Sequence, residues 1–161
     1  MKVFTQTFGV VAAILEKEGK ILLIKENQPD NPEAHNRWSH PAGWLEVGEN
    51  PIEAVRREVK EETGFTFDPK GVLGVYSFVK YPHGEAKHTK HCIKIVFIGT
   101  LLDVPVSPLA EDSSEVRWFS SEEIMRMDSS ELRDMDIKQM VKDYLQGKRY
   151  PLEVISHFAQ E

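Results

Sequence analysis

The segment from Asn50 to Gly64 constrains the fold more tightly than any other part of the chain, because both of its ends are written into the residues. Asn50 offers a side-chain acceptor to the free amides of a first helical turn, Pro51 presets the first helical φ, and Thr63-Gly64 supplies the stop. A helix of about three turns over Pro51 to Glu62 follows. Ile52, Val55 and Val59 share one side and need an apolar surface to cover them, while Glu58, Glu61 and Glu62, at i, i+3 and i+4, project together from the adjoining side. Carboxylates in a last turn face the negative end of the helix dipole, at roughly 0.3–1 kcal/mol each, and like charges at i, i+4 add a similar penalty. A hard divalent cation relieves that cost, since magnesium prefers carboxylate oxygens and leaves its remaining positions to water and phosphate. A solvated acidic helix end beside Lys60 is the plain alternative, and the helix alone does not choose between them.

The surface that covers this helix is predicted to be a sheet. Phe8 to Leu15 and Lys20 to Ile24 are apolar, β-branched runs separated by Glu16-Lys17-Glu18-Gly19, which reads as a hairpin with glycine at the turn. Glu26 to Asn36 carries Pro29 and Pro32 and little apolar content, so it is a polar loop able to border a ligand. Gly71 to Lys80 and Thr89 to Leu102 form a second antiparallel pair, with Tyr81-Pro82-His83-Gly84 as the turn. Val116 to Phe119 is a short strand that runs into a helix capped by Ser120 with a glutamate near the third helical position. A last helix places Ile137, Met140, Val141, Tyr144 and Leu145 on one face, ends at Gly147, and covers the sheet; the tail from Lys148 packs loosely or adds a turn. Strands flanked by two or three helices predict an α/β fold, an α/β/α sandwich. At 161 residues, 40% hydrophobic and 29% charged, with no repeat or low-complexity tract, one domain spanning 1–161 is the expectation.

A formal charge of −6 argues against a partner held through a nucleic-acid duplex backbone. Cys92 is the single cysteine and forms no internal disulfide, the N-terminus lacks a signal-peptide core, and no apolar run approaches the roughly 20 residues that cross a bilayer. A cytoplasmic protein without a membrane partner is expected. The six histidines lack zinc-ligand spacing and read as core or surface residues.

From Gly43 to Phe65 the chain reads Gly43, five residues, Glu49, seven residues, Arg57-Glu58, Val59, one residue, Glu61-Glu62, one residue, Gly64 and Phe65. This stretch resembles the Nudix box of the MutT-like hydrolases at every position. The flanking Trp38-Ser39-His40-Pro41-Ala42-Gly43 and Glu115-Val116-Arg117-Trp118-Phe119 are similar to Nudix proteins as well. The resemblance implies a Nudix-type sandwich with a central mixed sheet and hydrolysis of a phosphoanhydride bond in a small phosphorylated substrate. It implies that Glu58, Glu61 and Glu62, with the Ala42 carbonyl, hold Mg2+, for which Mn2+ substitutes, and that the cation activates water for attack on phosphorus. Arg57 and Glu49 position the cluster, and Gly43 and Gly64 serve its geometry. The resemblance implies a general base drawn either from the helix, as Glu61 or Glu62, or from a distant loop, where Glu111, Asp112 and Glu115 are the candidates and Glu115 is the first choice among them.

Substrate signals are weaker. Lys87, His88, Lys90 and His91 form a basic cluster suited to an anionic substrate, and an exposed hairpin end accounts for it equally well. Tyr81 lies where dinucleoside polyphosphate hydrolases of this family carry a tyrosine. Trp38 to Glu46, Asp112 to Phe119 and the helical C-terminus resemble the bacterial phosphatases of the NudJ type. A nucleoside di- or triphosphate, or a related pyrophosphate, therefore ranks first and a dinucleoside polyphosphate second. A nucleotide-binding module without turnover is the rival, but such relatives often have a degraded box. An isomerase of the same fold would need a cysteine and glutamate pair. Whether two chains pair as a homodimer is left open.

Overall fold

The computed structural model describes residues 7–81, 89–102 and 113–160, without the side chains of residues 113 and 114. Along the chain run β1 (Thr7–Ile14), β2 (Glu16–Lys17), β3 (Lys20–Glu26), β4 (Trp38–Ser39), β5 (Ala42–Trp44) and α1 (Pro51–Thr63). They are followed by β6 (Phe67–Lys80), β7 (Lys90–Leu101), β8 (Ser113–Ser120), α2 (Ser121–Arg126), α3 (Ile137–Leu145) and β9 (Tyr150–Pro151). A mixed sheet in the order β5-β1-β7-β6-β9 is parallel at β1/β7 and antiparallel at its other pairings. A smaller antiparallel sheet joins β2, β3 and β4, with β8 along β3.

Alternation within β1 divides the core into two layers. Val11, Ala13 and Leu15 pack with Ala54, Val55 and Val59 of α1, whereas Ala12 and Ile14 pack with Ile124 of α2 and Ile137, Met140 and Val141 of α3. Helices on both faces of a mixed sheet make the expected sandwich. The α1 caps form as the residues require. Asn50 accepts from the Ile52 amide at 2.9 Å, and Gly64, at φ 76°, closes the helix through its N–H to the Lys60 carbonyl. Ser120 and Glu123 complete a reciprocal capping box on α2.

Two expectations are corrected, and the tail gains an element of its own. The opening hairpin is confined to β2 and β3, and β1 leaves for the other sheet. Residues 11–15 are buried on both faces, which places β1 inside a sheet between β5 and β7 rather than beside its sequence neighbour. Leu145 is 60% exposed, because α3 stops there before Gly147 turns the chain at φ 76°. The tail beyond Lys148 adds a turn, as one of its two readings has it, a single 3-10 turn over Leu152–Val154, and ahead of it a short strand, β9, on the edge of β6, where a Cβ on Gly71 would meet the Tyr150 carbonyl oxygen at 2.9 Å. Two or three residues are too few to show strand alternation in sequence, which holds for β9, β4 and β5 alike.

Candidate active site

The acidic face of α1 opens onto a cavity of about 540 Å³, a volume suited to a small-molecule ligand. Glu58, Glu61 and Glu62 line it together with Ala42 and Gly43 of β5. Arg57 organises the group. Its Nε and Nη2 donate to the two carboxylate oxygens of Glu49 at 2.8 and 3.0 Å, and its Nη1 reaches Glu58 at 2.7 Å and Glu61 at 3.2 Å. The two-pronged partner of Arg57 is thus Glu49, from the loop before the helix. That hydrogen bond holds the Glu49 carboxyl below the usual range. Burial pushes the Glu58 carboxyl up, against the pull of Arg57. Glu62 is 5% exposed and accepts from the Ala42 amide at 2.8 Å. Gly43 has a steric reason: a Cβ there would lie 2.0 Å from the Glu58 carboxyl carbon.

The floor of the cavity is one face of the mixed sheet. Phe8, Cys92 and Phe78 stand in register across β1, β7 and β6, and Val10 and Lys94 occupy the next row. Trp44 closes on Phe8 with ring centroids 4.6 Å apart. Lys80 and Lys90, cross-strand partners, stand on the same face. The loop Gln28 to Ala34 forms part of the wall, in keeping with its polar composition.

The remaining predicted residues fall in different places. Lys90 lines the cavity, whereas Tyr81 lies in a neighbouring one and is 72% exposed. Lys87, His88, Glu111 and Asp112 lie outside the described residues. Glu115 is not among the cavity-lining residues; it sits on β8 opposite Lys25, in contact with Arg117.

The acids beyond α1 that line the cavity come from positions that no helical or strand periodicity marks. Glu26, at the end of β3 and 2% exposed, pairs with Arg133 at 2.6 Å. Asp134 pairs with Lys80 at 2.7 Å and with Lys94 at 3.3 Å, and Lys94 also meets Asp136 at 3.0 Å. Burial opposes the charge on Asp134, but Lys94 and Lys80 outweigh it and hold the carboxyl at about 2. These pairs span some 40 to 107 sequence positions, and their one advance signal was the density of charge in Arg133-Asp134-Met135-Asp136.

His40, buried behind this network, has its pKa lowered to about 3, first by desolvation and then by the Lys94 ammonium. The unfolded chain accepts a proton near pH 6.5 that the folded chain refuses. The His40 contribution to stability is therefore complete above that pH and falls as pH drops toward 3, by roughly 5 kcal/mol at most. Equilibrium unfolding across this window should show a decline that His40→Asn flattens; an unchanged slope would contradict the burial argument.

A NUDIX domain profile matches residues 5–142. The chain belongs to the Nudix family. The phosphatases NudJ of Shigella boydii and of Escherichia coli K12 are each 33% identical over 149 residues, covering 92% of this chain and 90% of theirs. A Nudix hydrolase from Nitrosomonas europaea superposes with a TM-score of 0.80 at 32% identity, covering 95% of this chain and 98% of that one. This Nudix chain is accordingly a pyrophosphohydrolase, of a family that acts on small phosphorylated substrates with divalent metal ions. No helix among the described residues is long and apolar enough to cross a membrane.

The Nudix site suits a divalent cation by its chemistry. Its donors are hard carboxylate oxygens, Glu58 carries a charge that burial disfavours, and Gly43 leaves that carboxyl its space. Among the described residues no three potential ligand side chains are gathered at ligating distance. Arg57 engages Glu58 and Glu61, and the Ala42 amide engages Glu62, so a cation would compete with Arg57 for two of the three.

Proposed function

We propose that this chain is a Mg2+-dependent hydrolase of a nucleoside di- or triphosphate, or of a nucleoside diphosphate linked to a second group, with Mn2+ able to replace Mg2+. The observation that carries the reading is the shared cavity, acidic on its helical wall and aromatic and cationic on its sheet floor. The cation, when bound, neutralises phosphate oxygens and lowers the pKa of water. Glu58, Glu61 and Glu62, with the Ala42 carbonyl, hold it. Arg57 and Glu49 fix the carboxylates, and Glu61, the most exposed of the three, takes the proton from water. Lys90 receives the phosphates, and the floor aromatics Phe8, Phe78 and Trp44 orient the organic half of the substrate. Likeness over nearly the full length to proteins named phosphatase NudJ supports a small substrate. Residues 1–161 act in this reading as one cytoplasmic domain.

A panel of nucleoside di- and triphosphates, nucleoside diphosphate conjugates and dinucleoside polyphosphates, assayed with Mg2+, tests the reading. It predicts phosphate or nucleotide release that stops on chelation. A folded protein that turns over nothing, yet binds a nucleotide tightly in Mg2+, would replace the enzyme by a binding module.

A further inference from the structure

A second cavity, of about 900 Å³, adjoins the acidic one. Lys80, Arg133, Asp134 and Glu33 line both, so these side chains form the partition between them. The partition is braced from two sheets. Arg133 is tied to Glu26 of β3, and Asp134 to Lys80 of β6 and Lys94 of β7. Its backbone is held too: the Arg133 amide donates to the Trp38 carbonyl at 3.0 Å, and the Trp38 amide donates to the Glu131 carbonyl at 2.7 Å. The Lys80 ammonium donates to the Arg133 carbonyl at 3.4 Å. Glu26 and Lys94 are 2% and 3% exposed, so water competes little for these pairs.

Beyond the partition, the second cavity presents the ring of Tyr81 and the thioether of Met135, 72% and 68% exposed, with the cations Arg37 and Lys138. Among the carboxylates Glu33, Asp128 and Asp134 that line the same cavity, the ring of Tyr81 offers a surface for a second nucleoside, and Arg37 and Lys138 offer cations for its phosphates. Glu58, Glu61 and Glu62 line the first cavity and not the second. We propose that the Arg133-Asp134 bridge sets the length of substrate that the acidic cavity accepts, admitting a nucleoside di- or triphosphate and refusing a substrate with a second nucleoside. This rests on the hydrolase reading, which its test keeps separate.

The test compares kcat/KM for a nucleoside triphosphate that the wild type turns over with that for the dinucleoside tetraphosphate of the same base. The wild type should prefer the short substrate, and Arg133→Ala, which removes the brace to Glu26, should shift the ratio toward the long one about tenfold. A folded Arg133→Ala with an unchanged ratio overturns the inference, as does a wild type that prefers the long substrate. Met135→Trp fills the second cavity at an exposed site and reads the same question if Arg133→Ala does not fold. It should leave both substrates unaffected, and a selective loss of the long one would show an open groove. Failure of the wild type on every substrate would instead sink the hydrolase reading.

Discussion

Glu61→Gln should lower kcat by about 10²–10⁴-fold while leaving the fold intact. The substitution keeps the volume and removes the charge. Its side chain is 53% exposed and its contact with Arg57 is a long 3.2 Å, so stability should change by no more than about 0.5 kcal/mol. Glu62→Gln should behave alike, since a glutamine oxygen still accepts from the Ala42 amide. Glu53→Gln is the matched control. Glu53 lies on the same helix, 61% exposed and paired with Arg56, and is not among the residues lining the cavity, so its loss should not change turnover. Steady-state kinetics with thermal unfolding separates the cases: equal losses in the Glu53 and Glu61 variants would reduce the cluster to a general charge effect.

Gly43→Ala should be nearly as damaging to activity, for a steric reason. The added methyl would lie 2.0 Å from the Glu58 carboxyl carbon and 2.1 and 2.2 Å from its oxygens. The carboxyl is the far end of a flexible side chain and gives way, so the cost in stability stays near about 1 kcal/mol. Turnover should fall about 10²-fold and the Mg2+ concentration for half-maximal rate should rise, because a displaced Glu58 no longer meets the cation. Wild-type kinetics in a folded Gly43→Ala protein would remove Glu58 from the site.

Local chemistry was readable in the sequence, and long-range pairing was not. The caps of α1 and α2 depend on neighbours within a few residues, so Asn50, Gly64, Ser120 and Glu123 announced themselves. The side of α1 that carries the glutamates followed from helical spacing, and the Arg57–Glu49 contact from the family resemblance. The membership of β1 in the mixed sheet depended on burial of both its faces, which its unbroken run from Val10 to Leu15 signals only in hindsight. Glu26 and Lys94 had no local pattern, and Arg133 and Asp134 had only the charge density of their segment. Each acquires its partner through tertiary packing, Glu26 and Arg133 across 107 positions, so the far wall of the cavity emerged from the fold alone.

Binding of Mn2+ in the presence of a non-hydrolysable diphosphate, followed by electron paramagnetic resonance, addresses the carboxylate cluster itself. Bound manganese should be seen in the wild-type protein and in Glu53→Gln, and lost or greatly weakened in Glu58→Gln and Glu61→Gln. Uptake that ignores Glu58 and Glu61, or no uptake by the folded wild type, would contradict a metal site at the end of α1.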